Sequence, residues 1–230
     1  MLNTDYTGDA VLVRRASDNT TQSIGFVDGE LDTTALDTFC SGTDGFVTTW
    51  LDQSGNGYDA SQILASEQPK IYDSITGVIL ENGKPSILTD SDDGFVISTP
   101  IATGQKYAFS VNTVNDTQWS MYAESVASGN IIPIGQLGLI LPIVNGYTLN
   151  ALYHNTNVFS GTRNDLYTLY DTTGQSLTTI DFDGAGVGVL LYRNSFRLQG
   201  FTQEIIIYNS DQSSNRTGIE TNINDFYSIY

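Results

Sequence analysis

The chain has 230 residues, with 9 Lys and Arg against 26 Asp and Glu, a formal net charge of −17. That balance excludes a nucleic-acid surface or electrostatic attachment to an anionic membrane, since both need clustered cations. Charged residues are only 15% of the chain, and with 22 Gly and 13 Tyr the polarity comes mainly from Thr, Ser, Asn and Gln, a mix that suits a β-rich extracellular or virion protein.

The length fits one large all-β domain with a substantial core, and no shift in composition marks a second. Cys40 is the single cysteine, so no intramolecular disulfide can form; it reads as a small buried apolar residue. No apolar run approaches the ~18 residues of a membrane span. The segment Met1–Arg15 has no basic stretch followed by an apolar one, so no signal peptide is expected.

In chain order, Val11–Arg15 predicts a first strand. Ser17–Thr21 is turn material, and Gln22–Phe26 is a second strand ended by Asp28-Gly29. Asp32–Cys40 predicts a helix: Asp32 or Thr33 caps it, Leu36, Phe39 and Cys40 share a face, and Gly42 stops it. Phe46–Leu51 is an apolar, β-branched strand that halts at Asp52. The following Gln53-Ser54-Gly55-Asn56-Gly57 suits tight, positive-φ backbone.

Short strands then recur at Gln68–Tyr72, at Val78–Leu80 and Ser86–Leu88 around an Asn82-Gly83 hairpin signal, and at Phe95–Ser98. Further strands are expected at Tyr107–Val111, Gln118–Ala123, Ile131–Ile134, Leu137–Val144, Thr148–Tyr153, Leu166–Tyr170, Leu177–Phe182, Val187–Tyr192 and Phe196–Tyr208. Within the last, Gln203–Tyr208 is apolar enough to predict a central strand buried on both faces. Ile219, Ile223, Phe226 and Tyr227 recur at helical period and predict a closing helix from about Asp211. Many short strands punctuated by turns imply an all-β sandwich or jelly roll.

Several blocks carry a resemblance. Tyr6-Thr7-Gly8, Val13–Asn19, Ile24-Gly25-Phe26, Gly29–Asp32, Phe46–Trp50, Asp52–Gly57 and Gln68–Ile71 occur in that order, with Gln203–Asn209 and Asp211–Arg216 near the other end. Together they resemble the concanavalin A-like (laminin-G-like) jelly-roll domain common in bacteriophage and viral structural proteins. The N-terminal blocks are also similar to the catalytic domain of microbial α-L-arabinofuranosidase B enzymes. That second likeness implies that this region shapes the sandwich while a downstream glutamate, in a cysteine-containing Asp-Tyr-Gly-Asn-Ala-Glu context, supplies the nucleophile. The sequence has no such segment; Glu67, Glu81, Glu124, Glu204 and Glu220 stand in other contexts. The first likeness implies a single concanavalin A-like domain over residues 1–230, two antiparallel sheets with a short helix and a C-terminal helix.

Candidate chemistry is sparse. Glycoside hydrolysis needs two facing carboxyls, and Asp52 with Asp92 or Asp93 are the candidates; the expected role of Asp52 is to hold the Gln53–Gly57 turn by accepting backbone N–H bonds. Asp90, Asp92 and Asp93 share one loop and could offer oxygen ligands to calcium, whereas one His and one Cys cannot make a zinc site. His154 lies at a strand end and reads as a surface residue. Sugar-stacking rings could come from Trp50, Trp119, Tyr58, Tyr122, Tyr147, Tyr153 or Tyr192, of which Trp50 is expected in the core and Tyr58 exposed.

The resulting expectation is a non-enzymatic virion attachment module, a head fibre, capsid decoration or tail-fibre domain without catalytic residues. It would bind a cell-surface glycan through Asp52, Gln53, Asn56 and Tyr58, with calcium as a possible cofactor at Asp90, Asp92 and Asp93. Its partners would be other virion proteins or further copies of itself, as a trimer, in the virion or outside the cell. The alternatives are a glycoside hydrolase of arabinofuranosidase type and a bacterial surface lectin or adhesin.

Overall fold

The computed structural model describes residues 6–90, 92–115, 120–123, 131–133, 147–161, 165–166, 168–170, 174–193 and 196–230. Strands dominate them. The longest sheet runs from Ile131–Pro133 through Ser120–Ala123, Val187–Leu190, Phe95–Ile101, Ala60–Ser61 and Gly45–Trp50 to Lys70–Asp73. It continues through Ile87–Thr89, Gly200–Tyr208, Lys106–Val114, Ser176–Gly184 and Tyr147–His154 to Asn157–Val158. Val11–Arg15 joins it, pairing antiparallel with both Thr21–Ile24 and Gly45–Trp50.

The sheet closes over one core. Val13, Val47, Phe95 and Ile97 from its first half pack in the same cluster as Ala108, Leu152, Ile180 and Phe182 from its second. This is an all-β sandwich in outline: side chains alternate across each strand, so each half turns one set of residues inward. Strands Lys106–Val114 and Ser176–Gly184 are buried on both faces. Their outward residues Tyr107, Phe109, Val111 and Leu177 meet Ile223 and Tyr227 of the C-terminal helix Arg216–Tyr227 in a second core. Each such side chain contributes roughly 1.5–3 kcal/mol by leaving water, which is what docks the helix.

Local chemistry explains most boundaries. Helix Thr33–Cys40 is capped by Asp32, whose carboxylate accepts the Ala35 N–H at 2.9 Å, and the chain turns away at Gly42 with φ 77°. Cys40 is fully buried, and burial pushes its thiol up to about 11. Asp28-Gly29 (φ 53° and 81°) joins Phe26–Val27 to Glu30–Leu31, and Asn82-Gly83 (φ 48° and 74°) joins Leu80–Glu81 to Lys84–Pro85. Positive φ at both central residues gives the turn twist that matches paired strands.

Four expectations are corrected. Gln203–Tyr208 is central in strand order but only partly buried. Its neighbour Ile87–Thr89 pairs with Gly200, Phe201 and Thr202 alone, so the strand beyond Thr202 faces a cleft. Residues 165–166 and 168–170 are helical rather than extended, with Leu166 and Tyr170 buried four apart. The closing helix starts at Arg216, because the Asp211 carboxylate is occupied in a turn with the Ser213 N–H and hydroxyl. His154 is buried against the Tyr170 ring, centroids 4.9 Å apart, and burial lowers it to about 4. The expected strand Leu137–Val144 and the ring of Trp119 lie outside the described residues.

Candidate active site

A cleft of about 770 Å³ opens where Gly200–Tyr208 parts from Ile87–Thr89. Its size is that of a small-ligand site. Its rim is formed by the corner after Gly45–Trp50, the two hairpin turns, and the Gln203–Asn209 stretch with the end of the C-terminal helix, and its floor by core residues such as Val11, Ile71 and Ile97.

The corner is Asp52–Tyr58. One Asp52 oxygen accepts the Ser54 N–H at 2.9 Å; the other accepts the Ser54 hydroxyl at 2.8 Å, the Tyr58 N–H at 3.0 Å and the Asn56 N–H at 3.2 Å. Burial alone would raise the Asp52 carboxyl, but these bonds from Ser54, Tyr58 and Asn56 outweigh it and hold it below its ordinary range. Asp59 in turn accepts the Asp52 N–H at 2.8 Å. Gly55 and Gly57 take φ 80° and 77°, where a side chain would strain the backbone. The loop is therefore preformed around one carboxylate, as its sequence implied. It brings all four expected ligand-binding residues, Asp52, Gln53, Asn56 and Tyr58, to the cleft wall. Tyr58 is half-buried against the main core rather than exposed, and Trp50 beside it is only partly buried, edge-on to Phe95 at 6.1 Å.

The two hairpins face each other across the cleft mouth. Glu30 and Lys84 form an ion pair between them, with the Lys84 ammonium 4.3 Å above the Phe226 ring. At the edge of the cleft, on the helix-facing side of its strand, Glu204 pairs with Val111 and is half-buried. Burial raises its carboxyl above the ordinary range. Tyr227, whose hydroxyl donates to the Gln203 carbonyl at 3.5 Å, is pushed well up by burial, with the charges of Glu204 and Glu30 adding to the rise. Sequence reasoning named none of Glu30, Lys84, Glu204 and Tyr227 as site residues. One signal was present: Glu204 is a lone carboxylate inside the apolar run Gln203–Tyr208, where only a partner or a task justifies it.

The acidic loop stands apart from this cleft. Asp93 accepts the Asp90 N–H at 2.8 Å, and its carboxyl rises to about 6 through burial, with Asp90, Asp92 and Glu67 adding to the rise. Among the described residues, no three His, Cys, Asp or Glu side chains are grouped to hold a metal ion. Of the other rings considered for sugar stacking, Tyr153 is covered by the Arg216 guanidinium at 4.0 Å, and the side chains of Tyr122, Tyr147 and Tyr192 lie outside the described residues.

Comparison with known proteins bears on what this cleft is. The family described as alpha-L-arabinofuranosidase B, catalytic, matches residues 1–129. An α-L-arabinofuranosidase B of Emericella nidulans is 34% identical over 129 residues, which is 53% of this chain and 24% of that protein. An arabinofuranosidase solved with arabinofuranosyl-α-1,2-xylobiose superposes with a TM-score of 0.58 at 17% identity, covering 97% of this chain and 60% of that one. A GH54 α-L-arabinofuranosidase soaked with a cyclic sulfate inhibitor gives 0.57 at 19% identity over the same shares. The match thus spans about a quarter of the curated relative, and the chain covers under two thirds of the solved enzymes.

These findings overturn the virion reading. Neither the matching family nor these relatives are viral structural proteins, so the head-fibre, capsid and tail-fibre expectation, its non-enzymatic character and its virion location are withdrawn. The blocks that suggested it, Asp52–Gly57 above all, are architectural: they build a strand-to-loop corner, and such a corner identifies a fold more readily than a task. With more than half of its residues matched, the chain belongs to the catalytic-domain family of α-L-arabinofuranosidase B.

Proposed function

We propose that the chain is a glycoside hydrolase domain of the arabinofuranosidase type, built on a concanavalin A-like jelly roll, whose cleft takes an α-linked L-arabinofuranosyl group. One observation carries this reading beyond family membership: a cleft of about 770 Å³, the size of a small-ligand site, is walled by the preformed Asp52–Tyr58 corner. There Tyr58 and Trp50 offer ring surface and Gln53 and Asn56 offer amides, a set suited to a small sugar ring. The chain lacks the Asp-Tyr-Gly-Asn-Ala-Glu segment of the resembling enzymes, so the reading rests on this lining.

The reading predicts selective binding. Calorimetric titration with arabinofuranosyl-xylobiose should give a saturable heat that xylobiose alone does not, and Tyr58→Ala should weaken it roughly tenfold, the loss of about 1.4 kcal/mol of ring contact. Equal binding of both sugars, or an unaffected Tyr58→Ala, would remove the support.

A further inference from the structure

We propose that the group linked to the arabinofuranosyl unit in this cleft is apolar, so that the preferred ligand is the arabinofuranoside of an alkyl or aryl alcohol. This deepens the hydrolase reading above and rests on it. The cleft has two chemically distinct levels. Its rim carries polar side chains: Asp52, Gln53 and Asn56 at the corner and the Glu30–Lys84 ion pair between the hairpins. Its floor is aliphatic. Val11, Ile71, Ile97 and Ile101 come from one half of the sheet, all buried, and Ile205 and Ile207 from the other.

Register puts these side chains there. Ile205 and Ile207 pair with Ser110 and Ala108, on the face of the main core, while Ile206 between them pairs with Phe109 on the helix side. Val11 pairs with Trp50, so the floor begins directly beside the ring surface of the corner. The polar groups that reach the floor have spent their protons. The Ser86 hydroxyl donates to the Thr202 carbonyl at 3.3 Å and the Thr202 hydroxyl to Asn112 at 3.0 Å. The Gln203 amide donates to the Glu81 and Lys84 carbonyls at 2.9 and 3.2 Å. A sugar hydroxyl placed on this floor would give up water for few new partners, a cost that an apolar group does not meet. An apolar void also leaves its lining without contacts and stays dry, which favours an apolar guest. A sugar ring at the rim with an apolar substituent on the floor suits both levels.

The test is a calorimetric affinity series of methyl, ethyl, propyl and butyl α-L-arabinofuranosides, with the same alkyl β-D-glucopyranosides as sugar-swapped controls. Each methylene leaving water adds about fourfold in affinity, so the butyl arabinofuranoside should bind about 60-fold tighter than the methyl one. The glucosides should bind more weakly throughout. Ile205→Trp, which fills the floor, should flatten the series while the methyl arabinofuranoside keeps its affinity within about threefold. An arabinofuranoside series that binds but does not steepen with chain length overturns the apolar floor and leaves the hydrolase reading standing, and the wild-type protein alone decides this. A steep series that survives in folded Ile205→Trp overturns the placement on this floor. Arabinofuranosides and glucosides that steepen alike with equal affinities keep the floor apolar and overturn the arabinofuranosyl reading.

Discussion

Asp52→Ala is expected to damage the fold before it damages recognition. The substitution removes the acceptor of four donors: the Ser54 N–H and hydroxyl, the Asn56 N–H and the Tyr58 N–H, at 2.8 to 3.2 Å. A net intramolecular hydrogen bond is worth about 0.5–1.5 kcal/mol, so four give roughly 2–6 kcal/mol in a dry site. Water can replace part of them at this half-exposed corner, and screening discounts the charge, leaving about 2–3 kcal/mol. For a domain of this size 1 kcal/mol moves the melting temperature by about 2–4 °C, so a drop of roughly 5–10 °C is expected in a calorimetric scan. Well below the transition, affinity for arabinofuranosyl-xylobiose should stay within about threefold, under 1 kcal/mol. Since Asp52 is held low, its stabilisation is present above the ordinary carboxylate range and lost as pH falls through its lowered value; the gap between variant and wild type should close in strong acid. A variant that melts like wild type yet no longer binds the sugar would show that Asp52 contacts ligand and that the loop does not need it.

Other substitutions probe the frame. Glu220 is fully buried, accepts from the Thr179 hydroxyl at 2.7 Å and pairs with Arg216, so Glu220→Ala should cost about 3–5 kcal/mol in urea unfolding; a loss below about 1 kcal/mol would mean that water already serves Arg216. Gly200 has φ 141° and a Cβ there would sit 2.0 Å from the Thr113 carbonyl oxygen, so Gly200→Ala should cost about 3 kcal/mol or more, whereas Gly218→Ala, in open space on the C-terminal helix, should gain about 0.5–1 kcal/mol. Asp93, at about 6 against an ordinary 3.8, stabilises fully at low pH and loses that contribution as pH rises through its folded value. His154, at about 4 against 6.5, acts oppositely, its contribution being lost as pH falls toward 4. Asp93→Asn should therefore be more stable than wild type at neutral pH and show a more positive slope of stability against pH in the weakly acid range; an unchanged slope would contradict the burial of Asp93.

Local chemistry was legible where short-range rules decide it. Asp32 capping its helix, Asn82-Gly83 turning its hairpin and Asp52 cradling its loop are each set by residues within a few positions of one another. The cleft was not legible in this way. Glu30 and Lys84 reach the wall that Gln203–Asn209 forms only because the sheet folds back and two hairpins converge on one strand, bringing together residues more than a hundred positions apart. His154 misled for a related reason: the strand end that looked solvated is covered by Tyr170 from a helical turn that the pattern presented as a strand. The Asp52–Gly57 block misled about function because it encodes a corner that more than one task can use.

The central claim, that this cleft hydrolyses arabinofuranosides, is tested most directly by release of 4-nitrophenol from 4-nitrophenyl α-L-arabinofuranoside by the purified chain. The account predicts saturable release, competitively inhibited by arabinofuranosyl-xylobiose and absent with the corresponding β-D-xylopyranoside. Release no faster than in buffer, from a chain shown to be folded, would contradict it.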